Sequence, residues 1–155
     1  METTRHSVAT VYVVHEGATA LHAHDKLGMW LPPGGHVELD ELPHVTARRE
    51  VREELGLDVE LVAPEGDIQS PTVESIPRTQ HFLLEDINVC DGEVGHQHVD
   101  FIYYGRVESR DIAPSADEQP AEDWAWFTPA DLRERADDLE SDVVEIGQRA
   151  IETVE

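Results

Sequence analysis

Apolar and polar positions along this chain change period several times, and each change predicts an element. Ser7 to His15, SVATVYVVH, is rich in β-branched residues and reads as a strand. Glu16-Gly17 supplies the turn, and Ala18 to His24 reads as a second strand that completes a hairpin. Asp25 to Gly28 reads as another turn, after which Met29-Trp30-Leu31 leads into Pro32-Pro33-Gly34-Gly35. The period then becomes helical: Ala47, Val51 and Leu55 recur at i, i+4 and i+8, a buried stripe of a helix running from about Glu41 to Leu55. Asp40 is the expected N-cap, Pro43 fits a first turn, and Gly56 is the expected residue just past the end.

Asp58 to Val62 reads as a short strand, and Ala63 to Pro77, with three prolines and one glycine, as a loop. Thr79 to Ile87 and Val99 to Val107 read as strands of a long hairpin joined through Cys90 to Gly95. Ser109 to Asp123 is acidic and irregular, and Trp124 to Phe127 is a last short strand. Thr128-Pro129-Ala130-Asp131 has the form of a capped helix start. From about Ser141 a final helix carries Val143, Gly147, Ala150 and Val154 on the face expected to cover the sheet. Strands around one early helix, followed by terminal helices, predict a layered α/β fold.

At 155 residues the chain suits one domain, which buries roughly two-thirds of its unfolded surface. Acidic residues number 34 against 11 basic, a net charge of −23, with Lys26 the one lysine. That balance argues against nucleic-acid or anionic-membrane partners, which need clustered cations. It also opposes an anionic substrate unless cations or salt intervene, and so predicts a halophilic, high-salt setting. The single cysteine, Cys90, excludes an internal disulfide, and METTRHSVAT has no signal-peptide core. The expected compartment is cytoplasmic, and a homodimer is left open.

The chemistry centres on the early helix. Glu50, Glu53 and Glu54, at i, i+3 and i+4, share one face, where like charges repel unless a cation sits on them. Hard divalent cations prefer such oxygen ligands, and Mg²⁺ in particular binds through one or two carboxylates together with waters and phosphates. The bland alternative is a solvated acidic face. Spacing favours the metal: the pattern Gx5Ex7REUxEExGU, with U aliphatic, is met at Gly35, Glu41, Arg49, Glu50, Val51, Glu53, Glu54, Gly56 and Leu57.

This 23-residue stretch from Gly35 to Leu57, with its lead-in Leu31-Pro32-Pro33-Gly34, resembles the box of the Nudix hydrolase family. The resemblance implies an α/β/α sandwich with a mixed sheet between helices, and hydrolysis of a nucleoside diphosphate linked to another group. It also implies Mg²⁺ or Mn²⁺ held by Glu50, Glu53, Glu54 and the Gly35 carbonyl. Arg49 would orient Glu53, and Glu38 and Glu41 would be supporting loop carboxylates. In such enzymes a glutamate from a later loop takes part before a strand bearing tryptophan. The loop before Trp124 offers Glu118 and Glu122, and Glu118 is preferred as base because it lies far enough from the strand to reach over the metal site. A Nudix-like sensing module without catalysis is the rival class, disfavoured because no box residue is missing.

Outside the box, Trp30, Tyr103 and Tyr104 are candidates for stacking on a nucleobase, with the core as the expected place for two of the three. His98 and Asp100 share a strand face and are candidate substrate contacts. The pairs His22/His24 and His96/His98 suggest a four-histidine zinc site. Without a cysteine pair or a helical HxxxH, strand-surface or pocket-lining histidines are the favoured reading. Pro71 lies 14 residues past Leu57, loosely as in ADP-ribose enzymes but without their full pattern. Nucleoside triphosphates, including oxidised ones, are the preferred substrates, since the chain lacks an added recognition domain. ADP-ribose or nucleotide sugars are the alternative.

Overall fold

The computed structural model describes residues 3–24, 29–90 and 92–155. In chain order the elements are β1 (Thr4–His15), β2 (Ala18–His24), β3 (Met29–Leu31), β4 (Gly34–His36), α1 (Pro43–Leu55), β5 (Glu60–Leu61), β6 (Gln69–Ser70), β7 (Val73–Glu74), β8 (His81–Cys90), β9 (Glu93–Arg106), β10 (Trp124–Phe127), α2 (Pro129–Glu134) and α3 (Ser141–Val154). The expected turn at Asp25–Gly28 lies outside the described residues.

Among the described residues eight strands form one mixed sheet in the order β10-β2-β1-β9-β5, with β3 beside β2, β4 beside β1 and β8 beside β9. The turn after β1 is made by Glu16 and Gly17, both at positive φ, which suits a tight hairpin. β8 and β9 form the expected antiparallel hairpin, but it extends further than expected: β8 runs on to Cys90 and β9 starts at Glu93 rather than Val99, so most of the expected Cys90–Gly95 connection is itself strand. Beyond that reading, β1 starts at Thr4 rather than Ser7, because it runs parallel to β9 over eleven paired positions from Thr4↔His96 to Val14↔Arg106. The expected strand over Asp58–Val62 is only Glu60–Leu61, and the loop from Ala63 to Pro77 folds on itself as the small β6-β7 hairpin.

Alternation along the strands sends side chains to two separate cores. Ala9, Val11, Val13, Ala20 and Tyr103 pack on the α1 stripe of Ala47, Val51 and Leu55, all three fully buried. Tyr12, Val14, Ile102 and Tyr104 face the other way, toward Val143, Ile146, Ala150 and Val154 of α3. The result is the expected helix–sheet–helix sandwich. Tyr103 and Tyr104 are therefore core residues, one on each side.

Both helix starts are informative. Thr128 and Asp131 exchange bonds in a full capping box on α2. On α1 the expectation differs from the structure: the helix begins at Pro43 with Leu42 as N-cap and no side-chain cap, not with Asp40. The nearby carboxylate, Glu41, binds Thr46 and Arg49 instead. Gly56 ends the helix in the left-handed region, φ 69°, as expected.

Candidate active site

The site is built where α1 crosses the β4 strand edge. Arg49 is its hub. Its Nε and Nη2 donate to the two Glu41 oxygens at 2.7 and 2.9 Å, a bidentate fork. Its Nη1 donates to Glu50 at 3.1 Å and Glu53 at 3.2 Å, and Nη2 also reaches the His36 carbonyl at 3.3 Å. Glu38 lies farther out, 3.9 Å from Arg49 and largely exposed. Glu41 is fixed further by the Thr46 hydroxyl, and the Arg49 bonds hold its carboxyl down at about 2.

Glu54 turns to the strand and accepts from the Gly34 N–H at 2.9 Å. A Cβ on Gly35 next to it would run into the Glu50 carboxylate, so any larger residue there would displace that side chain. Burial, opposed by Arg49, raises Glu50 to about 7, and burial reinforced by the Glu50 charge raises Glu54 to about 8. The negative charge of Glu118, in the loop before β10, adds a little to both shifts. Two backbone bonds hold that loop to the end of α1: Ala113 N–H to the Leu55 carbonyl and Ser115 N–H to the Glu53 carbonyl, each 2.8 Å. Glu122 is exposed in a short 3-10 turn at the foot of β10.

These residues fit a hard divalent cation. Burial, with the neighbouring carboxylate charges adding to it, pushes Glu50 and Glu54 upward, and Gly35 stands directly against the Glu50 carboxylate. Among the described residues no three ligating side chains already converge on one point, since Glu50 and Glu53 lean on Arg49 and Glu54 on Gly34. That suits Mg²⁺, which relies on waters and substrate phosphates more than on a closed protein cage. A concavity of about 290 Å³ lined by Arg48, Leu61, Pro64 and Pro77 includes none of these glutamates and lies apart from this chemistry.

The remaining candidates separate. Trp30 is half-buried, edge-on to Phe127 at 5.2 Å, with the Arg135 guanidinium 5.3 Å from its ring centre. Asp100 shares a face with His98, as expected, but is only 4% exposed. It accepts from Thr10 at 3.0 Å and pairs with Glu85, and burial holds both carboxyls well above the ordinary range. His22 packs on Trp124 at 4.7 Å, whereas His96 and His98 join His6 and His36. The two His-x-His pairs thus belong to different surroundings. Sequence reasoning missed Glu85 and the histidine partners because only the sheet register brings them together, and Thr46 because its bond to Glu41 depends on where the chain enters α1.

A NUDIX domain family model matches residues 4–146. The chain belongs to the Nudix hydrolase family, whose members act on small nucleotide substrates with a divalent metal. A Nudix-family hydrolase from Clostridium perfringens is 27% identical with a TM-score of 0.82, covering 98% of this chain and 99% of that one. A MutT protein from Bacillus halodurans shares 18% identity at TM-score 0.61, over 92% and 79% of the two chains. An ADP-ribose pyrophosphatase from Streptococcus suis shares 19% at TM-score 0.52, over 81% and 75%. The last two establish likeness of fold. Among the described residues no helix is long and apolar enough to cross a membrane.

Proposed function

We propose that this chain, as a single domain over residues 1–155, is a pyrophosphohydrolase that needs Mg²⁺ or Mn²⁺ and cleaves a nucleoside diphosphate linked to another group. Nucleoside triphosphates, oxidised ones included, are the preferred substrates. The observation that carries the reading is the Arg49 hub, which holds Glu41, Glu50 and Glu53 on one guanidinium while Glu54 is latched to the strand beside Gly35. Glu50, Glu53, Glu54 and the Gly35 carbonyl hold the cation. When bound, it supplies charge neutralisation on the bridging phosphates and a water of lowered pKa.

Arg49 sets the Glu53 carboxylate, and Glu118 takes the proton from the attacking water, the box glutamates being engaged. Glu38 and Glu41 hold the loop. Trp30 offers its ring to the base, while Asp100 serves Thr10 and Glu85 within the fold. The setting is a salt-rich cytoplasm without nucleic-acid partners, and self-association into a homodimer is compatible with it.

The test is a screen of triphosphates, nucleotide sugars, ADP-ribose and dinucleoside polyphosphates with product identification, repeated on Glu53→Gln. We expect metal-dependent release of a nucleoside monophosphate product, lowered by orders of magnitude in Glu53→Gln. Full activity in excess chelator, or in the variant, overturns the reading.

A further inference from the structure

The sheet carries a second group of side chains with ligand chemistry of another kind. His6 on β1, His36 on β4, and His96 and His98 on β9 form a closed ring of four imidazoles. Neighbouring ring centres are 4.9 Å (His6–His36), 5.5 Å (His36–His98), 5.0 Å (His98–His96) and 4.8 Å (His96–His6) apart. The register explains the grouping. His6 pairs with His98 across the parallel strands, His96 pairs with Thr4 two residues back, and His36 pairs with Val8 on the other edge of β1. All four project from the sheet face that also bears Thr10 and Asp100.

That face is opposite to the glutamates. A Cβ on Gly35 would point at Glu50, so the next residue along β4, His36, projects from the other side. His6 and His36 are exposed and His96 and His98 half-buried, so an ion reaches them from solvent.

We propose that this quartet is a binding site for a borderline transition-metal dication, of which Zn²⁺ and Co²⁺ are representatives, separate from the Mg²⁺ or Mn²⁺ site. Imidazole suits such ions, whereas Mg²⁺ and Mn²⁺ select carboxylate and carbonyl oxygen. With metal–nitrogen distances of about 2.0–2.1 Å, four tetrahedral imidazoles place their ring centres about 5 Å apart, close to the four separations between neighbouring rings. The rings now meet edge to face and their nitrogens are not yet focused on one point, as no such trio among the described residues is. Closing the cage requires the rings to turn about their side-chain bonds.

A second observation supports the site. The Thr4 hydroxyl lies 3.2 Å from the Gly95 carbonyl and 2.7 Å from His96 Nδ1, with which it is hydrogen-bonded. In the Nδ1–H tautomer, Nε2 of His96 is left as a lone-pair donor and the Thr4 contact is the outer hydrogen bond that metal-bound histidines use. In a chain of net charge −23 the surrounding field also favours an added cation.

The experiment titrates Co²⁺ into the full chain, freed of any polyhistidine tag and of prior metal, and reads the visible spectrum. We expect one equivalent with the intense absorption of four-coordinate cobalt, unchanged in Glu53→Gln and in His44→Ala. Affinity falls at least ~10-fold in His6→Ala and in His98→Ala, whose folding is checked by circular dichroism. Zn²⁺ should raise the melting temperature of the parent chain and not of the His6→Ala/His98→Ala pair. A six-coordinate spectrum only, a four-coordinate signal that survives loss of both histidines, or one that vanishes in Glu53→Gln overturns the proposal. Because the glutamate variant is scored separately, the result stands or falls independently of the hydrolase reading.

Discussion

At the scale of single residues, the geometry of Arg49 matters more than its charge. A lysine keeps the charge but is a compact point donor, whereas the guanidinium forks onto Glu41 and still reaches Glu50 and Glu53. Arg49→Lys should therefore lower kcat by about 10–100-fold, as expected for a residue that orients others. The KM should change less, and circular dichroism should be near that of the parent. Steady-state kinetics at saturating Mg²⁺ check this. Glu118 and Glu122 separate in the same way. Glu118 acts electrostatically on Glu50 and Glu54, while Glu122 is exposed at the foot of β10. Loss of a general base costs about 10²–10⁴-fold, so Glu118→Gln should fall in that range and Glu122→Gln should stay within a few-fold. Equal effects of the two would assign the base elsewhere.

At the scale of elements, α1 couples stability to the site through both its end and its face. Gly56 sits at φ 69°, and a Cβ there would meet the Ala113 carbonyl at the start of the loop that carries Glu118. Gly56→Ala should cost about 1–2 kcal/mol from backbone strain alone. That corresponds to roughly 2–8 °C in Tm, and kcat should fall with it because the tether shifts. The face of α1 gives a pH dependence. Glu50 and Glu54 titrate at about 7 and about 8 in the fold, against 4.5 without it, so the folded state holds more protons between those values. Metal-free stability should then decline as pH rises from about 5 to 8, and Mg²⁺ should flatten the decline. Melting curves across that range, with and without Mg²⁺, test the sign.

Much of this element scale was legible in the sequence. The α1 stripe, the Glu16-Gly17 turn, the α2 capping box and the α3 face all follow from local period and cap chemistry. What was not legible depends on pairing between distant segments. The parallel register of β1 and β9 joins residues about ninety positions apart, and it alone groups His6 with His98. The cap of α1 was misread because Glu41, one residue after Asp40, is engaged by Thr46 and Arg49 and the chain enters the helix later.

For the whole molecule, the excess of 34 acidic over 11 basic residues sets the behaviour in solution. The compact state repels itself, and the exposed ion pairs such as Arg52–Asp58 and Arg149–Glu145 offset little of that, being worth at most about 1 kcal/mol each in water. Raising monovalent salt shortens the screening length from ~10 Å at 0.1 M to ~3 Å at 1 M, so KCl should raise Tm steadily over that range. Mg²⁺ should act differently. At millimolar levels it adds little screening, yet it neutralises the glutamate face of α1 where three carboxylates crowd together. The two effects are separated by Glu53→Gln, which keeps the KCl response and loses most of the Mg²⁺ response. A Tm that falls or stays flat from 0.1 to 1 M KCl would show that self-repulsion does not limit this fold. A Mg²⁺ response undiminished in the variant would show that the ion acts on the general charge and not on the helix face.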